Sequence, residues 1–189
     1  MLELKNVSFS YDDKTVFSNF SLKICKGECV CLKGESGCGK TTVLNIILGL
    51  QTIASGEITR PNKISAVFQE DRLIPHLSLK RNILLVNDSN PKNVDNLLKS
   101  AGLYDIRHKK VSLLSGGMKR RAAILRAVNF GGDLLVLDEP FNGLDYENKQ
   151  KIARIIKEEF LKKEKSVLLV SHNSEDAELL GAKIIEMQN

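Results

Sequence analysis

The chain has 189 residues, a net charge of +5, 42% hydrophobic and 27% charged residues, which suits one ordinary globular domain able to bury a core without covalent staples. No apolar run approaches the roughly 18 residues of a membrane span, and "MLELKNVSFS" reads as no secretory leader, so direct membrane insertion is not expected. With no tryptophan and 5% aromatic residues, a base-stacking platform for nucleic acid is not expected either.

The first segment alternates apolar and polar residues in "LELKNVSFSY" and again, after the turn-like "YDDK", in "VFSNFSLKI", which predicts an antiparallel β region. "ECVCLKG" predicts a strand ending at a glycine-rich loop. Cys29 and Cys31 lie two apart and share one strand face. With Cys25 and Cys38 they are expected to be reduced thiols, because no His or second C-x-x-C stands nearby to complete a metal site. A helix is predicted from Lys40 to about Gly49, then strands at "SGEIT" and "KISAVFQ". From Gln69 to about Gly132 the pattern turns helical, with Asn90 and Pro91 as N-cap and N1 of one helix and Gly102 as its stop. "DLLVLDE" returns to strand. A long helix is predicted over 146–163 with Asp145 as N-cap. "SVLLVSH" reads as a buried strand, Ser174 as the cap of a short helix, and "AKIIEM" as a last strand. The basic clusters at 107–110, 119–121 and 162–165 read as solvated surface. The expectation is an α/β fold: a P-loop core with a mostly parallel sheet, an N-terminal antiparallel β subdomain, and an inserted helical subdomain at about 70–132 of a single domain spanning 1–189.

Gly34 to Thr41 fits G-x-x-x-x-G-K-[ST] in full. Gly34, Gly37 and Gly39 let the backbone bend close to an anion. The amides from Glu35, Ser36 and Cys38 through Thr42 can face phosphates, and the helix start favours negative charge. Lys40 adds a point charge, and the Thr41 hydroxyl can face Mg²⁺. In "LLVLDE", Leu134 to Leu137 predict a strand buried on both faces, with Asp138 emerging at its carboxyl end, where open α/β sheets bind ligands. Asp138 is expected to hold Mg²⁺ through water, and Glu139 to polarise the attacking water. "NKQK" at Asn148 lacks the acid of the guanine-reading N-K-x-D element, so the expected nucleotide is ATP.

With the phosphate loop and "LLVLDE", the stretch "LLSGGMKRRAAILRAV" resembles the ATP-binding cassette (ABC) family. Leu114 to Met118 stand where that family has L-S-G-G-Q, with Met in place of Gln. The resemblance runs from Tyr11 to His172. It implies that Tyr11 stacks on adenine, that Gln69 links Mg²⁺ to a transport partner, that Asp145 in "NGLD" lies in a dimer-interface loop, and that His172 is a switch residue near the γ-phosphate. It also implies that two copies, or this chain and a similar subunit, pair head to tail. Ser115, Gly116 and Gly117 of one copy would then complete the site held by Lys40 of the other. The implied protein is a cytoplasmic ATPase docked peripherally on an integral membrane permease. "VFQEDRLIPHLS" resembles ATPase subunits of nitrate, sulfonate and taurine importers. Leu73, Ile74, Pro75 and Leu77 are expected to form an exposed docking cluster. The chain ends soon after His172, so further terminal elements are expected in longer members. The alternative is a soluble cassette protein acting on nucleic acid, ribosomes or iron–sulfur assembly. The zinc or coiled-coil inserts and the second cassette of such proteins are not seen here. A clamp that senses ATP without turnover is disfavoured by Glu139.

Overall fold

The computed structural model describes residues 1–12, 14–35 and 37–187. Two sheets organise the chain. Strands β1 (Leu2–Tyr11), β2 (Lys14–Ile24) and β4 (Ser55–Thr59) form an antiparallel sheet in the order β2-β1-β4. Strands β3 (Cys29–Lys33), β5 (Ile64–Val67), β6 (Leu134–Asp138), β7 (Ser166–Val170) and β8 (Lys183–Glu186) form a parallel sheet in the order β5-β6-β7-β3-β8.

The alternation of side chains across each central strand divides the core in two. Cys29, Cys31, Leu135, Leu137, Val167 and Leu169 face one cluster. Val30, Leu32, Leu134, Val136, Leu168 and Val170 face the other. The first cluster is covered by α3 (Pro91–Ser100), α4 (Gly116–Phe130), α5 (Tyr146–Glu159) and α6 (Ser174–Leu180). The second is covered by α1 (Lys40–Ile47) and the antiparallel sheet. Each fully buried Leu, Ile or Val contributes about 1.5–3 kcal/mol, so a central strand with apolar residues on both faces anchors two layers at once. The short helix α2 (Leu79–Leu84) packs on α4 through Leu79 and Ile83.

Several boundaries follow the local chemistry. The Asn90 side chain accepts from the Asn93 amide at 3.1 Å and Pro91 occupies the first helical position of α3. Asp145 accepts from the Asn148 amide at 2.9 Å and caps α5. Two expectations are corrected. The helix predicted over 146–163 stops at Glu159 and continues as a short 3-10 turn at Leu161–Lys163, closed by Glu164 at φ 55. The cap of α6 is Asn173, which accepts from the Glu175 amide at 2.9 Å, rather than Ser174.

The basic cluster at 119–121 is a larger correction: Arg120 and Arg121 are buried. Arg121 donates to the Ala101 carbonyl at 2.6 Å, near the end of α3. The cluster at 162–165 is closer to expectation, with Lys162 and Lys163 paired to Glu158 and Glu159 on exposed helix turns. Of the expected exposed cluster, Pro75 is exposed, while Leu73, Ile74 and Leu77 are half-buried and Leu73 packs on the core. Loop 74–77 is held from below by Asn82, which donates to the Ile74 carbonyl and accepts from the Ile74 amide.

Candidate functional site

Adjacent parallel strands deliver the predicted residues to one edge of the sheet. Gln69 follows β5, Asp138 ends β6, His172 follows β7, and the glycine loop follows β3. A cavity of about 1060 Å³ opens there, lined by Tyr11, Gly34, Gly37, Gly39, Lys40, Thr41, Thr42, Gln69, Asp138, Glu139 and His172. Glu35 and Cys38 line a neighbouring cavity of about 500 Å³ together with Gly34 and His172. Ser36 lies outside the described residues.

The loop is built around close approach. A Cβ on Gly34 would lie 2.6 Å from Cys38 Sγ and 2.7 Å from the Met187 carbonyl oxygen. Gly39 adopts φ 97 as the N-cap of α1, and a Cβ there would meet Val16 at 2.8 Å. Gly39 offers no side-chain acceptor to the first turn of α1, so the amide donors at this helix start suit an external anion. Lys40 Nζ donates to the carbonyls of Gly34 at 2.8 Å and Glu35 at 2.6 Å, with Cys38 Sγ at 3.6 Å. The Lys40 ammonium is thus held within its own loop by carbonyls that a phosphate oxygen can replace.

Across the cavity, Glu139 adopts φ 47, a left-handed conformation that costs a non-glycine residue energy. Its amide donates to the Val170 carbonyl at 2.9 Å, which holds the turn against β7. Glu139 Oε1 lies 2.9 Å from His172 Nδ1, while Oε2 is buried without a partner. A buried carboxylate oxygen left unpaired is costly and fits a site that receives a water or a cation-bound ligand. Asp138 is held above the ordinary carboxylate range, first by burial and then by the charge of Glu139, against the opposing pull of Arg120 and Lys40. A cation arriving beside it would oppose this shift by favouring the ionised carboxylate. His172 stays exposed, but its loop is pinned: Ser171 donates to Asp176 Oδ2 at 2.8 Å, and Lys149 pairs with Asp176 Oδ1 at 2.9 Å.

Tyr11 is 48% exposed at the rim of the cavity, its ring edge-on to Phe9 at 4.8 Å. Ser115, Gly116, Gly117 and Asp145 stand apart from the cavity lining. Ser115 caps α4 by accepting from the Met118 amide at 3.4 Å, and Ser115 and Gly116 are exposed. A Cβ on Gly117 would lie 3.3 Å from the Gly143 carbonyl oxygen, so the turns before α4 and α5 abut. Asp145 is held below the ordinary carboxylate range by the Asn148 amide and side chain.

Two contributions escaped the sequence reading. Lys14, Thr15 and Val16 of β2 line the cavity; the pairing of Lys14 with Tyr11 and of Thr15 with Ser10 across the hairpin was the available signal. Arg120 gave no signal beyond its charge. Its guanidinium donates to the carbonyls of Phe68, Gln69, Asp138, Glu139 and Pro140 and to Asp71 Oδ1.

A parallel sheet with a glycine-rich loop after one strand and a carboxylate at the end of the next strand but one defines a P-loop nucleotide hydrolase. A family model described as ABC transporter matches residues 17–142. An aliphatic sulfonates import ATP-binding protein of Burkholderia cenocepacia is 32% identical, over 98% of this chain and 73% of its own length. One from Streptomyces avermitilis is 37% identical over 95% and 70%. A spermidine/putrescine import ATP-binding protein of Bacteroides thetaiotaomicron is 36% identical over 99% of this chain and 44% of its own. Among solved structures, a dimeric post-hydrolysis state of the ATP-binding cassette MJ0796 bound to ADP and Pi superposes with a TM-score of 0.86, at 29% identity over 100% of this chain and 94% of that one. The chain belongs to the ABC transporter family, as an ATP-binding and ATP-hydrolysing cassette. Among the described residues, no helix is long and apolar enough to cross a membrane.

Proposed function

We propose that this chain is one cassette, over 1–189 with a helical arm at about 70–132, that pairs with a second cassette around ATP and drives a separate membrane permease in import. The observation that carries the reading is the Glu139–His172 pair, 2.9 Å apart, at the lip of the cavity floored by Lys40. It puts a water-polarising carboxylate and a phosphate cradle on opposite walls of one space.

In this reading Tyr11 stacks on the adenine. The loop amides from Gly34 to Thr42 and the Lys40 ammonium hold the phosphates. The Thr41 hydroxyl, Asp138 and Gln69 would hold Mg²⁺, which supplies charge neutralisation at the phosphates; the buried, unpartnered Glu139 oxygen beside the raised Asp138 carboxyl fits such a donor set. Glu139 takes the proton of the attacking water, and His172 orients Glu139 and steadies developing charge. Ser115, Gly116 and Gly117 reach the γ-phosphate on the other copy, with Asp145 at the seam. The exposure of the α4 start supports a contact made outside its own chain.

Relatives named for an anionic cargo and for a cationic one match this chain at similar identity, 32–37%. That supports a common engine whose sequence is independent of the solute. These relatives are transporter subunits, which disfavours the soluble alternative. Docking on a permease would place the chain peripherally at the cytoplasmic face of the membrane.

The test is ATP-dependent pairing. Glu139→Gln should elute as a dimer with ATP and Mg²⁺ and as a monomer without them; a monomer in both conditions would refute the shared site. Affinity purification from membranes should recover an integral membrane partner, whereas recovery of nucleic acid alone would overturn the transport assignment.

A further inference from the structure

We propose that Arg120 is a positioning residue that locks the Phe68–Arg72 segment to the Asp138–Glu139 turn, so that displacement of that segment changes the rate of hydrolysis rather than the affinity for ATP. The proposal rests on the reading of Asp138 and Glu139 as the hydrolytic pair. Arg120 is 5% exposed, on the first turns of α4. One edge of its guanidinium grips the loop after β5: Nη1 donates to the Phe68 carbonyl at 2.6 Å, the Gln69 carbonyl at 3.3 Å and Asp71 Oδ1 at 3.3 Å. The other edge grips the end of β6: Nη2 donates to the carbonyls of Asp138 at 2.5 Å and Glu139 at 2.8 Å, and Nε to Pro140 at 3.1 Å. Arg126, further along α4, holds the same segment by donating to the carbonyls of Arg72 at 2.8 Å and Asp71 at 3.1 Å.

A planar fork with five N–H donors is what allows one side chain to serve two backbone segments; a lysine has three donors radiating from one nitrogen and cannot span both. Glu139 already sits at φ 47, so its turn depends on outside support. The same helix begins at the Ser115 turn. One rigid element therefore joins the proposed seam, the Gln69 loop and the carboxylates, and the physical link is a set of buried charge-assisted bonds.

The experiment compares Arg120→Lys, Asp71→Asn and their double variant for steady-state ATP hydrolysis and for binding of a fluorescent ATP analogue. Arg120→Lys is expected to lower kcat about tenfold or more with the analogue Kd within about twofold, since small misplacement of a reacting group is costly. Asp71→Asn keeps an acceptor oxygen but removes the charge from one contact on the loop side only, and is expected to lower kcat about threefold. Because both act through one clamp, the double variant should be no slower than Arg120→Lys alone. Wild-type kcat in Arg120→Lys, a parallel loss of kcat and affinity, or additive losses in the double variant overturn the proposal. If Arg120→Lys does not fold, Asp71→Asn decides: lower kcat at unchanged Kd supports the clamp, and unchanged kcat overturns it. Glu139→Gln separates the two layers of inference. Retained hydrolysis there removes the reading of the hydrolytic pair and the clamp with it, while lost hydrolysis beside a normal Arg120→Lys removes the clamp alone.

Discussion

Two helices in this molecule start from glycine-rich turns, and they are not equivalent. At the start of α1, Gly39 makes no side-chain cap, the turn opens on a cavity of about 1060 Å³, and Lys40, Asp138 and Glu139 surround it. At the start of α4, Ser115 satisfies the Met118 amide with its own hydroxyl, and the turn faces outward beside Gly143, away from that cavity. Both helix ends favour anions by the same dipole and amide chemistry. The first opens on a cavity whose walls carry Lys40, Asp138 and Glu139 of the same chain. In the proposed head-to-tail pair, the second meets the phosphate held by the other copy. The difference teaches that an anion-favouring helix start is a property of local sequence, while a site is a property of what the fold sets opposite it.

Substitutions can separate the two starts. The largest effect is expected from Lys40→Ala, which removes the cradle's cation: ATP turnover should fall to background, and normal activity would contradict the phosphate-site assignment. Glu139→Gln should lower kcat by about 10²–10⁴-fold, the range a general base supplies, while ATP binding persists in equilibrium dialysis. Ser115→Arg should sharpen the contrast. It leaves the α1 cradle untouched, so monomeric ATP binding should survive, but hydrolysis should fall about 100-fold, as when a transition-state donor is lost. Full turnover in that variant would make the α4 start an ordinary capped turn.

Smaller effects act on stability rather than on either helix start. Burial, chiefly, pushes Cys29 from an ordinary 9.0 up to about 12 and Cys31 to about 11. The folded state keeps these protons after the unfolded chain has lost them. The stabilisation is therefore whole below pH 9 and fades as pH rises toward 11–12, at up to about 1.4 kcal/mol per pH unit for each thiol. Urea midpoints measured from pH 8 to 10.5 should fall accordingly, and alkylation of the native protein at pH 8 should reach exposed Cys25 first. Asn90→Ala should cost about 1 kcal/mol through the lost cap of α3, with ATP affinity unchanged; a change in affinity would show the helical arm to be more tightly coupled to the cradle than its distance in the fold implies.

Much of this was legible in the sequence because the relevant forces act over a few residues. Alternating apolar residues set the strands, Asn90-Pro91 and Asp145 set helix starts, and the spacing from Gly34 to Thr41 specified a loop whose chemistry hardly depends on its surroundings. The apolar run Leu134–Leu137 ahead of Asp138 announced a strand buried on both faces, because it is short and ends at polar residues.

What the tertiary structure alone decided are the matters of partnership between distant segments. In sequence, Lys119, Arg120 and Arg121 look like one solvated cluster. In the fold, Arg120 is buried because the carbonyls of residues near 68 and 138 converge on it, and no pattern within α4 reveals acceptors that far away along the chain. The orphaned oxygen of Glu139, the pinning of the His172 loop by Asp176, and the wall supplied by Val16 have the same origin. Local sequence determines which groups a segment presents. The free energy of burying a charge or leaving an oxygen unpaired depends on what the folded chain sets beside it, and that is settled only when all the strands are in place.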